Sequence, residues 1–231
     1  MAEAARADAP VVVEFPLRGP GWRAVTTPAA RVPSHGTDAL GQRYAYDFLR
    51  TDRRRGAHVS PASTLRAAVL GIRARDCYAW GEPVHAPFDA EVVRAHDGVD
   101  EREWIHPVRE ALRLVWNAAS FTPERLPRIL GNHVVLRHGE VYAALVHLAP
   151  GSVAVAAGQR VQRGEPLGRV GHTGNSTSPH LHFQLMDSAD PLRARGIPCA
   201  FRRYEVERDD GPALVVDGVP ARNDRITGIA P

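Results

Sequence analysis

Two histidines stand one residue apart in Pro179-His180-Leu181-His182-Phe183-Gln184-Leu185, and their types and spacing invite chemistry. Side chains alternate faces along an extended strand. His180 and His182 would therefore project to one side while Leu181 and Phe183 pack on the other. Two imidazoles on one strand face suit a metal ion, or one ligand beside one acid/base group. A bare His-x-His is only moderately specific, because strand histidines also serve as ordinary surface or core residues.

The surroundings sharpen that reading. Upstream lies Gly168-Arg169-Val170-Gly171-His172-Thr173-Gly174-Asn175-Ser176-Thr177-Ser178, a tight Gly/Ser/Thr loop that brings backbone close to whatever the histidines hold. Earlier come Gly131-Asn132-His133-Val134-Val135-Leu136 and Tyr142-Ala143-Ala144-Leu145-Val146-His147-Leu148. His147 ends an alternating strand, so a third imidazole can converge on the His-x-His pair. Taken together, these stretches resemble the LytM/lysostaphin-like zinc metallopeptidases of the M23 family. The resemblance is strong over residues 131–187 and looser back to residue 34.

That resemblance implies a zinc ion held by a first His, an Asp and the second His of His-x-His, with an open position for water. It also implies that the first His of the pair and the His of the Tyr-Ala-x-x-x-His-Leu strand act on that water. His182 is then a ligand, and His180 and His147 are catalytic, with their division into base and oxyanion stabiliser left open. The family spacing between the first two ligands is His-x-x-x-Asp, and it is broken here. His35, the only histidine before Asp47, is the natural first ligand. Asp47, within Tyr44-Ala45-Tyr46-Asp47-Phe48, is favoured as the carboxylate because a charge in an aromatic strand needs a partner. Asp38 is the alternative, with a competing role as a turn residue. The implied activity is hydrolysis of peptide bonds in peptidoglycan. Asn132 and Ser178 could line the site, with backbone support the favoured role for Asn132. The remaining histidines are read as packed or solvated.

The elements that must position these residues read as mostly β. Strands are expected at 11–15, 43–48, 83–87, 90–93, 133–137, 141–147, 153–155, 167–170 and 181–186, with a turn at Arg18-Gly19-Pro20-Gly21. Residues 51–75 give mixed signals and read as a surface excursion. Ile105, Val108, Leu112, Val115 and Trp116 recur at helical spacing, so a helical insertion is expected over 104–118, placed where it can roof the groove. Residues 1–10 read as a flexible tail, 11–208 as the domain, and 209–231 as a C-terminal strand or tail. The fold class is an antiparallel sheet folded over itself, with the metal on the floor of a groove.

Composition sets the outer bounds. With 231 residues, 44% hydrophobic and 24% charged, the chain can bury a real core. The formal charge of +3 is small, and no basic face with aromatic readout marks a nucleic-acid partner; Arg53-Arg54-Arg55 reads as a solvated run. All 29 basic residues are arginine, which excludes Schiff-base chemistry and lysine-tethered carriers such as a biotinyl module. Cys77 and Cys199 lack metal-site spacing and read as buried thiols, a disulfide being the alternative. No apolar leader or membrane span is expected from the sequence; the family resemblance implies a secreted or wall-associated location. The rival function is a catalytically silent module of the same fold, which binds cell wall or regulates another hydrolase.

Overall fold

The computed structural model describes residues 9–52 and 58–231, so Arg53-Arg54-Arg55 and most of the expected tail lie outside the described residues. One large sheet organises the chain. Across it run the strands Val11–Val13, Cys199–Arg208, Arg225–Gly228, Gly19–Thr26, Tyr46–Arg50, Leu181–Met186, Val141–Leu148, Asn132–His138, Ala90–His96 and Arg160–Val161. Gly196–Ile197 and Gly211–Gly218 pair off this path. The pairing is antiparallel except where Val11–Val13 runs parallel to Cys199–Phe201.

Alternation along the central strands divides the sheet into two faces. Tyr46, Phe48, Leu145, Leu181, Phe183 and Leu185 enter the main core, joined by Phe15, Trp22 and Phe201. Phe15 meets Phe48 and Phe201 edge-on at 4.9 and 5.1 Å between ring centres, within the range such pairs favour. Asp47, Val146, His182 and Gln184 take the intervening positions and so share the opposite face.

Several expectations change. Gly19–Thr26 is a strand, not a turn. Residues 153–155 form no strand, although Ala154 N–H donates to Leu167 O at 2.9 Å. The 51–75 stretch contains a helix, Thr64–Leu70, whose Ser63 cap accepts from Arg66 N–H. The longest strand, Cys199–Arg208, went unread because its exposed arginines and glutamates break the apolar pattern. Both cysteines are buried and free; burial pushes the Cys77 thiol up to about 12.

The insertion forms a helix, Pro107–Ala119, with proline in its first turn. It is docked by its polar side. Glu110, Arg113 and Asn117 turn inward, while Val108, Leu112, Val115 and Trp116 are 60–67% exposed. Arg113 Nη2–H donates to Gly174 O at 3.1 Å, and Asn117 Nδ2–H to Asn175 Oδ1 at 2.7 Å. The helix therefore clamps the Gly/Ser/Thr loop and turns its apolar face to solvent.

That loop in turn lies backbone against backbone on the start of strand Asn132–His138. A Cβ on Gly174 (φ +71°) would sit 2.4 Å from Ile129 O, and one on Gly131 would sit 2.6 Å from Gly174 N. Gly174→Ala is expected to lower stability by about 2–4 kcal/mol through steric clash and left-handed strain, read by urea unfolding. A variant as stable as wild type would refute this packing.

His133 generates an acid-stability prediction. It is 2% exposed, its Nδ1–H donates to Gly131 O at 2.7 Å, and burial lowers its pKa from 6.5 to about 4. The unfolded chain takes up a proton near pH 6.5, whereas the folded chain resists until about pH 4. The contribution is complete above pH 6.5 and is lost as pH falls towards 4, on the order of 3 kcal/mol. Unfolding measured between pH 7 and pH 4 should lose less stability in His133→Gln than in wild type; equal slopes would remove His133 as a source.

Candidate metal and catalytic site

Sheet register assembles the site. Asp47 lies directly opposite His182, and His182 opposite Val146, so three adjacent strands present one row across the sheet. His35 arrives from the loop before the aspartate strand, with its Nε2 2.9 Å from Asp47 Oδ2. His182 Nδ1 lies 2.9 Å from Asp47 Oδ1, and His180 Nε2 lies 3.5 Å from the same oxygen. Asp38 is elsewhere: exposed, and paired with Arg43 Nη1 at 2.6 Å.

His147 reaches this face by breaking the alternation. Leu145 and Leu148 both enter the core, which an unbroken strand forbids. Val146–Leu148 spans three residues against His133 and Asn132 on the neighbouring strand, so the pair contains a β-bulge. His147 is the extra residue, with φ +68°, and its ring lies 4.9 Å from His180 and 5.9 Å from His182. Read as the last step of an alternating strand it would have pointed into the core. The bulge turns it to the site.

Fixed hydrogen-bond partners determine which nitrogen each histidine presents. Leu40 O can only accept, so the Gln184 atom 2.7 Å away is its Nε2–H donor, and Gln184 Oε1 faces His182 Nε2 at 2.8 Å. His182 therefore carries its proton on Nε2 and turns a bare Nδ1 to Asp47. His35 is set by the same logic. Ser34 Oγ–H donates to Gln42 O at 3.1 Å, so Ser34 Oγ accepts from His35 Nδ1–H at 3.2 Å, leaving Nε2 bare. His180 Nδ1–H donates to Ser178 O at 2.7 Å, which leaves its Nε2 bare as well.

The electrostatics follow from this crowding. Burial opposes ionisation of Asp47, but hydrogen bonds donated by His180, His182 and His35 when these rings are protonated outweigh it and hold the carboxyl well below its usual range. For His180, burial disfavours the charged form and the Asp47 carboxylate outweighs it, for a net upward shift. Burial, followed by the neighbouring His180, keeps His147 well below the ordinary histidine range. The Nδ1 of His147 is buried without a partner.

The donor set fits a zinc ion. His35, Asp47 and His182 each offer an atom within 4.8 Å of the others, and two imidazoles with one carboxylate suit zinc. With both ring protons directed outward, bare nitrogens face carboxylate oxygens at 2.9 Å. A positive charge between them, a ring proton or a bound metal ion, satisfies both sides.

Ser34 and Gln184, which orient the two histidines, were not found from sequence; only Gln184's place two residues beyond His182 on the same strand face marked it. His172 is one of the packed histidines: it is buried, with Nδ1 3.0 Å from Ser176 Oγ and Nε2 3.1 Å from Arg102 Nη2. Asn132 serves backbone, accepting from Val99 N–H at 2.8 Å.

Comparison with known proteins points to one family. Residues 118–194 match the model of peptidase family M23. The peptidoglycan DD-endopeptidase ShyA of Vibrio cholerae is 42% identical over 65 residues, covering 28% of this chain and 15% of that protein. ShyC of the same organism is 32% identical over 97 residues, 41% of this chain and 21% of its own length. The chain thus spans only a small part of the curated relatives it matches. Among solved structures, the lysostaphin catalytic domain of Staphylococcus simulans aligns over 78% of this chain and 88% of its own, at 18% identity and TM-score 0.37. The segment that matches the model of peptidase family M23 carries His147, His180 and His182.

Proposed function

We propose that this chain is a zinc-dependent endopeptidase that hydrolyses peptide bonds in peptidoglycan and works at the cell wall. The observation that carries the reading is Asp47 held between the bare nitrogens of His35 and His182. The family match and the peptidoglycan endopeptidases among the relatives supply the substrate class. Among the described residues no helix is long and apolar enough to cross a membrane.

In this reading His35 Nε2, Asp47 and His182 Nδ1 hold the metal. When bound, zinc supplies Lewis-acid polarisation and acidifies water. The bare Nε2 of His180 accepts a proton, because its Nδ1–H is already committed to Ser178 O. His147, 4.9 Å away, donates to negative charge developing on the carbonyl oxygen of the scissile bond. Gln184 and Ser34 keep the two ligand rings from turning, as outer partners of metal ligands do.

Elemental analysis of the purified protein tests the ligand set. Stoichiometric zinc is expected in wild type and in Asp38→Ala, with loss in Asp47→Ala and His182→Ala. Gln184→Ala should retain the metal with affinity lowered about 10–100-fold, measured by competition with a chelator. Product analysis on purified peptidoglycan then asks for new amino and carboxyl termini. Zinc-free wild type after reconstitution would defeat the proposal, and so would metal retained in Asp47→Ala.

A further inference from the structure

We propose that the outer face of helix Pro107–Ala119, with the shorter helix Thr64–Leu70 beside it, docks on a lipid surface that carries anionic headgroups. The inference stands apart from the metal site and from the peptidase reading.

The face is built of side chains that water does not favour. Val108, Leu112, Val115 and Trp116 recur at helical spacing on one side, and all four are exposed. The inner side is committed to the protein. Glu110 accepts from Arg102 Nη2–H at 3.1 Å, and Arg102 Nη2–H in turn reaches Ser176 O at 2.7 Å. Arg113 and Asn117 hold Gly174 and Asn175 beside them. Those contacts fix which side of the helix faces outward. They do not ask that side to be apolar, since polar residues there would serve the loop equally well. A contiguous run of exposed valine, leucine and tryptophan marks a surface of interaction.

A second helix extends the face. Ile72–Arg73 pairs with Trp104–Ile105 as a two-stranded ribbon; helix Thr64–Leu70 runs into its first strand, and Pro107–Ala119 follows its second. The approach is close: a Cβ on Gly71, where the shorter helix ends, would lie 2.7 Å from Ile105 O. Leu65, Val69 and Leu70 of the shorter helix and Trp104 of the ribbon are exposed as well. Exposed hydrophobic residues of both helices therefore gather around one ribbon.

Charge selects the occupant. Arg66 is the one charged residue of Thr64–Leu70, and it is exposed. On Pro107–Ala119 the exposed charge is Arg109, about 100° round from Val108 at the margin of the apolar stripe. Glu103, next to Trp104, is matched by Arg73 at 3.4 Å, and past the helix the exposed Glu124 is outnumbered by Arg125 and Arg128. The balance is positive. Apolar side chains bordered by arginine suit a bilayer interface, where the former enter the acyl boundary and the guanidinium groups meet headgroup phosphates. A second copy of the chain fits less well. Two-fold pairing sets one patch against itself, and neither helix exposes a carboxylate to offset Arg66 and Arg109. Docking on lipid would hold the loop before His180, which the helix clamps, within roughly one helix diameter of the bilayer, about 10 Å.

The test is sedimentation of the full chain with phosphatidylcholine vesicles, with and without phosphatidylglycerol. Wild type should bind the vesicles that contain phosphatidylglycerol, more weakly as salt is added, and should leave pure phosphatidylcholine largely unbound. A double variant, Leu112→Ser with Trp116→Ser, should bind at least about tenfold more weakly. Arg109→Gln should lose about fivefold. Trp116→Phe should stay bound yet lose much of the blue shift in tryptophan emission that vesicles induce, which reports insertion without a polar substitution. Absence of binding, equal binding to neutral vesicles, or full binding by the double variant would each overturn the proposal. So would a wild-type dimer in analytical ultracentrifugation that the double variant converts to monomer, since that result assigns the face to a second copy.

Discussion

A carboxylate among imidazoles at the middle of a sheet is the constraint to which the surrounding structure answers. An unpaired buried carboxylate costs several kcal/mol of desolvation. Asp47 meets that cost with three histidines within 3.5 Å, yet two of them have bare nitrogens turned towards it. Those nitrogens are bare because other groups hold the ring protons: Ser34 for His35 and Gln184 for His182. An aspartate with protonated neighbours would be an ion cluster, whereas an aspartate with neutral neighbours turned inward is a cation site. Second partners that bind ring N–H groups suit the latter, as the proposed metal site calls for.

The cost of this arrangement spreads into the backbone. Gln184 is anchored by Leu40 O, and Leu40 and Gly41 both hold positive φ. A side chain at Gly41 would lie 2.8 Å from Met186 Cγ and 3.0 Å from Gln184 Nε2, so glycine is what allows that segment to reach the amide. His147 in a left-handed conformation carries a further strain of about 1–3 kcal/mol. The flanking strand absorbs it because Leu145 and Leu148 are both seated in the core on either side of the bulge.

What could be read from sequence follows the reach of each signal. His180 and His182 share a face because strand alternation is local, and that much was legible in five residues. Asp47 was legible through its aromatic neighbours, which are indeed buried on the far side of the strand at Tyr46 and Phe48. The bulge at His147 was not legible, since it depends on a register slip against Asn132 and His133, residues of another strand. Arg102, His172 and Ser176 were equally hidden: their link depends on an insertion folding back onto a loop about 70 residues later in the chain. Cys199–Arg208 was missed for a different reason, because its polar residues satisfy a surface and leave only a broken apolar alternation.

The helix Pro107–Ala119 shows the limit of periodicity most clearly. A repeat of 3.6 residues identifies a helix but not which side meets the protein, and the usual assumption is that the apolar stripe turns inward. Here the loop beneath presents the Gly174 carbonyl, and the carbonyl of Ser176 beside it is taken by Arg102. An apolar stripe laid on those oxygens would leave acceptors buried without donors, at roughly 1–3 kcal/mol each. Arg113 supplies a donor directly, and Glu110 holds Arg102 in place to supply the others. The polar demand of the loop before His180 therefore decides the orientation of the helix, and the exposed valines, leucine and tryptophan are its consequence.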